Sequence, residues 1–482
     1  MQPHPLRHRS RCLTTGIGLW IGLCLWLGTA SSQDIRVATF NASLNRGSAG
    51  HLLRDLSQPE TSGARQIKRV AEIIQKVRPD ILLLNEFDHD EEGEGMKLFQ
   101  ENFLSVGQGD QDSIIYKHRF AAPSNTGVSS GQDFDNSGRA VTNPGNNSYA
   151  GDAFGFGTFP GQYGMVVYSQ FPIKDALLRN FQKFLWKDMP NSLLPNGVGG
   201  RPAYYNEEKS AVFRLSSKSH WDLPIDVNGE FLHLLISHPT PPVFDGAEDR
   251  NGRRNHDEIR LWKDYLMPDF GTYIYDDSGL AGGLAENVRF VIMGDLNADP
   301  FDGDSSDGAI AQLLDHPRVQ ATPTPTGPGG TEAADRQHRG NPAEDTADFS
   351  RENLRADYVL PSIAGLTVRD AKVFWPKRSD PLSASVRGAS DHRLVYLDLT
   401  LTPLAPPTVS RLRIERNTTT ALLHWQGQPD TIYSVHWTQD LQAPWREDPA
   451  ITLETNDGNV WLATDTTSTR RRFYRVQAIN SP

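Results

Sequence analysis

Cysteine is nearly absent from this chain of 482 residues, which contains only Cys12 and Cys24. Both lie in a segment typical of a secretion signal, with a basic start, an apolar run over residues 13–27 and small residues at 28–32. We expect residues 1–32 to be a signal peptide and the protein to be secreted, to the periplasm or the extracellular medium. The mature chain would then contain no cysteine, which excludes disulfides, thiolate metal sites and a cysteine nucleophile.

Long hydrophobic runs and excess positive charge are also lacking. Beyond the first 32 residues no apolar run approaches the ~20 residues of a membrane span, so we expect no transmembrane segment in the mature chain. The formal net charge is −11, which excludes a chain-wide basic surface for nucleic acid but leaves room for a local basic patch. The 10 tryptophans argue against disorder.

The remaining sequence divides into two folded regions. Residues 33–402 alternate short apolar runs with amphipathic helices, as in the helix predicted from Thr61 or Ser62 to Pro79. Residues 403–407 (PLAPP) form a predicted linker. Residues 408–482 change to alternating, tryptophan-rich strands and predict a small all-β module.

Polar side chains recur at the ends of the strands predicted in the first region. Some directly follow an apolar run and others directly precede one; the set is Asn41, Glu86, His238, Asp295, Asn297, Asp357, Asp391 and His392. In an antiparallel sheet the end of one strand lies beside the start of its neighbour. We therefore expect all eight side chains to meet at one rim of the sheets.

Such a set of residue types favours metal-assisted phosphate chemistry. Clustered carboxylates repel one another unless a cation compensates them. Oxygen ligands from Asp, Glu and Asn suit Mg²⁺, which keeps open positions for phosphate oxygens; Mn²⁺ and Ca²⁺ are the alternatives. Histidines beside such an ion suit proton transfer or stabilisation of the transition state.

Five short motifs carry a resemblance to a known family. In order along the chain they are Thr39-Phe40-Asn41, Leu84-Asn85-Glu86, Gly294-Asp295-Leu296-Asn297, Arg355-Ala356-Asp357-Tyr358 and Ser390-Asp391-His392. Their order and spacing resemble the endonuclease/exonuclease/phosphatase superfamily, which includes deoxyribonucleases, sphingomyelinases and inositol polyphosphate phosphatases. The resemblance implies a DNase I-like α/β (α+β) four-layer sandwich, in which two mixed β-sheets are flanked by helices.

The resemblance also implies a role for each residue in a Mg²⁺-dependent hydrolase. Glu86 is expected to bind the metal, with Asn41 and Asp391 in or near the metal shell. Asp295 would position or deprotonate the attacking water, and Asn297 would hold the phosphate. His392, oriented by Asp357, would act as a general base or stabilise the phosphorane. His238 would donate to a phosphate oxygen.

Two segments of the first region have more than one interpretation. Asp295 to Pro300 has the composition of an Asx turn at a strand end. Arg253 and Arg254, in the charged segment 245–258, form either a clamp for a substrate phosphate or part of a solvated loop.

The leading hypothesis is a secreted metal-dependent phosphoesterase acting on a small phosphomonoester or phosphodiester. The alternatives are an extracellular nuclease using the same site, and an inactive secreted binding protein. A nuclease needs a local basic patch, for which the candidates are Lys174, Arg179, Lys183, Lys187 and Arg250–Arg254. A lipid substrate needs exposed aromatic residues, for which the candidates are Phe154, Phe156 and Phe159.

The C-terminal module resembles a fibronectin type III-like sandwich. Trp425, Tyr433 and Tyr474 fit its core positions. Nothing in its sequence indicates catalysis, and binding to a surface or a carbohydrate is the role we consider for it.

Overall fold

The computed structural model describes residues 33–479, except for gaps at 201–202, 335–336, 350–351, 403, 405–409, 417–420, 427–431, 439–445, 448–451, 457–459 and 466–472. The predicted signal peptide and all of the predicted linker except Leu404 lie outside the described residues. None of the described helices is both long and apolar enough to cross a membrane.

The described strands of the first region are β1 (Gln33–Leu44), β2 (Ile81–Phe87), β3 (His118–Ala121), β4 (Met165–Ser169), β5 (Arg179–Asn180), β6 (His220–Val227), β7 (Glu230–Ser237), β8 (Phe290–Asp295), β9 (Ala347–Asp348), β10 (Asn353–Leu354), β11 (Asp357–Pro361), β12 (Leu366–Val373) and β13 (Val395–Leu401). Those of the C-terminal region are β14 (Ser410–Arg416), β15 (Ala421–Gln426), β16 (Ile432–Thr438), β17 (Arg446–Glu447), β18 (Thr452–Asn456), β19 (Val460–Asp465) and β20 (Phe473–Ile479). The described α-helices are α1 (His51–Ser57), α2 (Arg65–Val77), α3 (Glu94–Phe99), α4 (Asn147–Asp152), α5 (Glu207–Val212), α6 (Arg250–Tyr265), α7 (Ala311–Leu314), α8 (Pro328–Ala333) and α9 (Ser383–Ala389).

Two mixed sheets form the centre of the first region. One has the strand order β12-β13-β1-β2-β4-β3 and the other the order β11-β8-β7-β6-β5. Each sheet contains one parallel pair, β1 with β2 and β7 with β8, among antiparallel pairs. The implied fold class of two mixed β-sheets flanked by helices is confirmed.

Three apolar clusters hold the layers together. One lies between the two sheets and includes Val37, Leu83, Leu234 and Met293. A second packs α2 against the outer face of the first sheet. A third packs α6 against the outer face of the second sheet. Burial of apolar surface on both faces of each sheet explains why the strands contain nearly continuous hydrophobic runs.

The helices differ from the sequence prediction mainly at their starts. The apolar spacing of α2 is as predicted, and the helix ends at Val77, before Arg78 in a left-handed conformation (φ 54°). It begins at Arg65, because residues 62–64 form a 3₁₀ turn with Thr61 at its N-cap position. The sequence also predicts a helix from about Asn255 to Leu266 (NHDEIRLWKDYL), and helix α6 begins earlier, at Arg250.

The C-terminal region forms one sheet with the order β14-β15-β19-β18 and another with the order β17-β16-β20. Trp425, Tyr433 and Tyr474 are buried together, as expected of core residues. The fibronectin type III-like assignment stays a prediction.

Candidate active site

The inner faces of the two sheets change from apolar to polar at one end. Side chains alternate along a strand, so the inner apolar row of β8 (Val291, Met293) continues into Asp295. The row of β1 continues in the same way into Asn41, and that of β7 into His238 just after the strand. All three polar side chains are at most 2% exposed. The sheets therefore bring polar groups together at one buried rim, as the sequence predicted.

Strand pairing sets the relation between two of the carboxylates. In the antiparallel ladder of β8 and β11, Asp357 lies directly opposite Asp295. His392 is placed between them, with Nδ1 2.8 Å from Asp357 Oδ2 and Nε2 3.7 Å from Asp295 Oδ2. One ligand atom from each of these three residues lies within 4.8 Å of the other two.

The two carboxylates keep His392 in its charged form. Burial opposes the imidazolium, but the charges of Asp357 and Asp295 outweigh it and raise the pKa of His392 to about 10. At neutral pH the ring is therefore protonated, which suits it to stabilise negative charge on a phosphate and does not suit it to act as a base.

Asp295 is surrounded by the other predicted residues. Its Oδ2 accepts a hydrogen bond from Asn41 Nδ2 at 2.9 Å and lies 3.3 Å from His238 Nε2. Its Oδ1 accepts from the backbone N–H of Asn297 at 3.0 Å. Burial, and then the charges of Asp357 and Glu86, raise the pKa of Asp295 to about 7, although His392 counteracts them.

The contact between Asp295 and Asn297 is the Asx turn that was the alternative interpretation of this segment. Asn297 has a left-handed backbone (φ 51°), and its Nδ2 donates to the carbonyl of Pro239 at 3.2 Å. The turn thus connects β8 to the loop after His238, while Asp295 Oδ2 still points at the histidines. Both interpretations describe the same segment.

His238 is buried and neutral. Burial, and then the positive charges of Lys218 and His392, lower its pKa well below the usual value. Its Nδ1 is buried and has no hydrogen-bond partner among the described residues. An unpaired buried nitrogen is costly unless a ligand or water meets it.

Thr346 is a site residue that the sequence analysis missed. Its hydroxyl donates to Asp357 Oδ2 at 2.8 Å and accepts from the backbone N–H groups of Ala356 and Asp357. It therefore holds the carboxylate that orients His392. No motif marks Thr346, because the contact joins two segments through the short pairing of β9 and β10.

Lys218 is a second residue without a sequence signal. It is 7% exposed and lies just before β6. Burial lowers its pKa, and the carboxylates of Glu258, Glu86 and Asp295 counteract that effect. Among the described residues, its amine makes no hydrogen bond or ion pair, so its charge acts on the site without being neutralised by a single partner.

Glu86 lies at the edge of this group. It is half-buried, and its Oε2 accepts from Asn45 Nδ2 at 2.8 Å. The pairing of β1 with β2 is irregular here, and both Ser43 (φ 46°) and Glu86 (φ 59°) are left-handed. Bulges of this kind re-aim side chains, and the strained backbone of Glu86 marks it as a functional candidate.

Asp391 is the most exposed of the predicted metal ligands. Its Oδ1 accepts hydrogen bonds from the hydroxyls of Ser43 at 3.2 Å and Ser390 at 3.3 Å. Asp295, Asp357 and His392 form a compact group of possible ligand atoms, to which Glu86 and Asp391 do not belong. The metal roles of Asn41, Glu86 and Asp391 stay predictions.

The sequence match decides the family. Residues 38–392 match the Endonuclease/Exonuclease/phosphatase family. The chain belongs to this family. The match spans the strands and loops that carry the candidate site, and membership of the family indicates a hydrolase of phosphoesters.

Solved structures with a similar fold include sphingomyelinase C from Streptomyces griseocarneus. It is 14% identical, with a TM-score of 0.36, over 76% of this chain and 99% of that chain. A beta toxin mutant from Staphylococcus aureus with bound magnesium ions is 12% identical, with a TM-score of 0.36, over 77% of this chain and 100% of that chain. No curated protein matches this sequence.

Within this family member, the two candidate phosphate arginines donate to backbone carbonyls. Arg254 is buried, and its guanidinium donates to the backbone carbonyls of Leu215, Phe154 and Arg214. Arg253 donates through Nε to the carbonyl of Glu248 at 3.0 Å. These contacts give Arg254 a role in holding loops together, and the phosphate role of both residues stays a prediction without a supporting contact.

The candidate aromatic residues for a lipid surface are mostly buried. Phe154 and Phe159 are 9% and 7% exposed, whereas Phe156 is 55% exposed. Phe154 packs in the cluster beside α6. Of the three, only Phe156 is free to meet an apolar substrate.

Proposed function

We propose that the chain is a secreted, divalent-metal-dependent phosphoesterase that hydrolyses a small phosphate ester by in-line attack of water. The observation that carries the proposal is the placement of a protonated His392 between Asp357 and Asp295, with Asn41 and His238 on the same Asp295 oxygen. This arrangement provides a fixed positive charge beside a carboxylate that changes protonation near neutral pH.

The proposed roles follow from these protonation states. Asp295, with a pKa of about 7, takes the proton of the attacking water. His392 and Lys218 stabilise the charge that develops on the phosphate oxygens. His238 donates to a phosphate oxygen, and Asp357 with Thr346 keeps the His392 ring in place.

The donor set fits a hard divalent ion. Buried carboxylates that raise one another's pKa need a compensating cation, and Asp, Glu and Asn oxygens suit Mg²⁺. We propose that Glu86 holds the ion with Asn41 beside it, that Asp391 lies at the edge of the metal shell, and that Asp295 takes the proton of the water instead of binding the ion. When bound, a divalent ion polarises the phosphate and lowers the pKa of a water molecule.

Charge pairing favours a small substrate over a nucleic acid. Of the basic groups that a nuclease would use, Lys174 pairs with Asp226, Arg179 with Asp276 and Lys187 with Asp188. Arg250 pairs with Glu248. Paired side chains are poorly placed to release counterions from a nucleic-acid backbone, so a nuclease is the second candidate.

The test is hydrolysis of a nitrophenyl phosphate diester and monoester by residues 33–482, with Mg²⁺ and with EDTA. We expect metal-dependent release of nitrophenol that Glu86→Ala and His392→Ala abolish. Cleavage of the diester would lead to sphingomyelin and plasmid DNA, and cleavage of the monoester alone to sugar and inositol phosphates. Turnover that persists in both variants would refute the site, and no turnover of any ester would favour the inactive binding protein.

A further inference from the structure

Glu258 is a buried carboxylate that belongs to none of the motifs. It lies on α6 and is 0% exposed. Its Oε1 accepts the backbone N–H of Ser217 at 2.6 Å, and its Oε2 accepts the backbone N–H of Thr240 at 2.7 Å. One carboxylate thus joins two loops that come from different strands.

The two loops carry Lys218 and His238, which both lie near Asp295. Ser217 directly precedes Lys218, and Thr240 follows His238 by two residues. The loops also touch directly, because the Ser217 hydroxyl donates to the carbonyl of His238 at 3.2 Å. The spacing of Lys218 and His238 therefore depends on a main-chain junction centred on Glu258.

Among the described residues, no partner holds the amine of Lys218 in place. Within the described part of the chain its amine makes no hydrogen bond, whereas its backbone carbonyl accepts the Asn125 N–H at 2.8 Å. The long side chain is placed by its main chain, which Glu258 holds one residue away. A shift of that main chain moves the amine by a similar amount.

The same helix also holds a third loop of the site. Asn255, one turn before Glu258, donates through Nδ2 to the carbonyls of Thr240 and Leu296, each at 2.9 Å. Leu296 lies between Asp295 and Asn297. Helix α6 is thus a rigid support from which polar side chains reach three loops of the active site.

We propose that Glu258 is a positioning residue that sets the separation of Lys218 and His238 across the active site. The proposal rests on the phosphoesterase function proposed above. Glu258 touches neither substrate nor metal in this assignment. It acts through the two backbone N–H groups that it accepts, and its negative charge also counteracts the lowering of the Lys218 pKa by burial.

The neighbouring residue provides a matched control. Asp257 is also 0% exposed, lies on the same helix and accepts two N–H groups, from Trp186 Nε1 and the Leu193 backbone, both at 2.6 Å. Its two partners lie at residues 186 and 193, a segment that contributes none of the eight residues predicted for the site. Asp257→Asn and Glu258→Gln both replace a buried carboxylate of α6 by an amide, but one oxygen of Asp257 accepts both of its N–H groups, whereas Glu258 uses one oxygen for each. Only Glu258→Gln affects the loops of Lys218 and His238.

The experiment compares full mature chains carrying Glu258→Gln, Glu258→Asp or Asp257→Asn with the wild type. A glutamine side chain has only one acceptor oxygen, and its NH₂ group would face the second of the two backbone N–H groups. We expect Glu258→Gln to lower kcat about a hundredfold, the scale of a misplacement of ~1 Å, with a loss of Tm similar to that of Asp257→Asn. Asp257→Asn should keep kcat within about threefold of the wild type. Glu258→Asp keeps two acceptors with a shorter reach and should recover part of the lost kcat.

Two measurements do not depend on turnover. Amide hydrogen exchange at Ser217 and Thr240 should become faster in Glu258→Gln and stay unchanged in Asp257→Asn, and inorganic phosphate should bind more weakly only to Glu258→Gln. A wild type that hydrolyses no phosphoester refutes the proposed function, while these two measurements still decide the positioning role. Equal losses of kcat in both amide variants, or unchanged exchange at both amides, would overturn it. If Glu258→Gln does not fold, Glu258→Asp at unchanged Tm serves the same purpose.

Discussion

The two halves of the active site are built differently. The closed half consists of Asp295, Asp357 and His392, all buried and joined through the β8–β11 ladder and short polar contacts. The open half consists of Glu86 and Asp391, which are half-buried and exposed. Among the described residues, each accepts hydrogen bonds through only one carboxylate oxygen, from Asn45 or from Ser43 and Ser390.

The comparison shows which side chains the fold positions by itself and which ones a bound ligand has to position. In the closed half a cation of the protein itself, His392, lies between the two carboxylates, so their geometry is set before substrate arrives. In the open half the carboxylates keep oxygens without a protein donor, which is the condition under which a divalent ion binds with several waters retained. The comparison predicts that variants in the closed half lower kcat and that variants in the open half change metal dependence.

The largest effect is expected from His392→Ala. Loss of a positioned proton donor typically costs 10²–10⁴-fold, so we expect kcat to fall about a thousandfold. Tm should fall as well, because Asp295 and Asp357 stay buried without the cation between them. The control is His233→Ala, because His233 also pairs with an aspartate, Asp222, at 2.6 Å, but lies toward the other end of β7. Similar kinetics for the two variants, measured on a nitrophenyl ester, would remove His392 from the chemistry.

The open half is probed by Glu86→Gln. We expect the Mg²⁺ concentration for half-maximal activity to rise about 10–100-fold, while kcat at saturating Mg²⁺ falls less than in His392→Ala. A metal titration of the initial rate measures both quantities. A fall in kcat that no Mg²⁺ concentration relieves would place Glu86 with the closed half.

The pH profile tests the closed half without a substitution. Burial raises the pKa of Asp295 to about 7, so the base is protonated and inactive below that pH. The two neighbouring carboxylates raise the pKa of His392 to about 10, so its positive charge is lost only in strongly alkaline solution. We expect kcat/KM to rise about tenfold per unit at low pH, to be flat in between and to fall near pH 10. A maximum confined to acidic pH would reverse these assignments.

The smallest effect is expected from Asp391→Asn. An exposed carboxylate contributes little to the site electrostatics, so kcat and the Mg²⁺ requirement should stay within about threefold of the wild type. Rates measured over the same metal titration as for Glu86→Gln provide the check. If Asp391→Asn requires as much Mg²⁺ as Glu86→Gln, the metal shell extends to Asp391 as the family resemblance implies.

The sequence was sufficient for features that depend on strand periodicity. Apolar runs that end in a polar residue predict that polar side chains reach one rim of the sheets, whereas the register that sets Asp357 opposite Asp295 comes from the structure. The helix α2 was predictable because its apolar spacing is regular. These features arise from local patterns, which a single sequence contains.

Contacts between distant segments were not predictable. Thr346, Lys218 and Glu258 occur in no motif, because each acts through a residue far away in the chain. The orientation of the Glu86 side chain depends on an irregular register between β1 and β2, and the residue types of these strands do not predict that register. Arg254 is of the residue type that binds phosphate, yet its hydrogen bonds go to backbone carbonyls of distant loops, which the sequence does not predict.

Because the β8–β11 ladder sets Asp357 opposite Asp295, the placement of these two residues does not depend on the length of the segment that connects the strands. The long connection from residue 296 to residue 356 does not determine the distance between these carboxylates, because hydrogen bonds between β8 and β11 do. The exposed turn near residues 303–308 is therefore a permissive position. A protease cut or an inserted tag there should leave the carboxylate pair intact, and such a turn is a place where evolution can add a specificity element without rebuilding the catalytic centre.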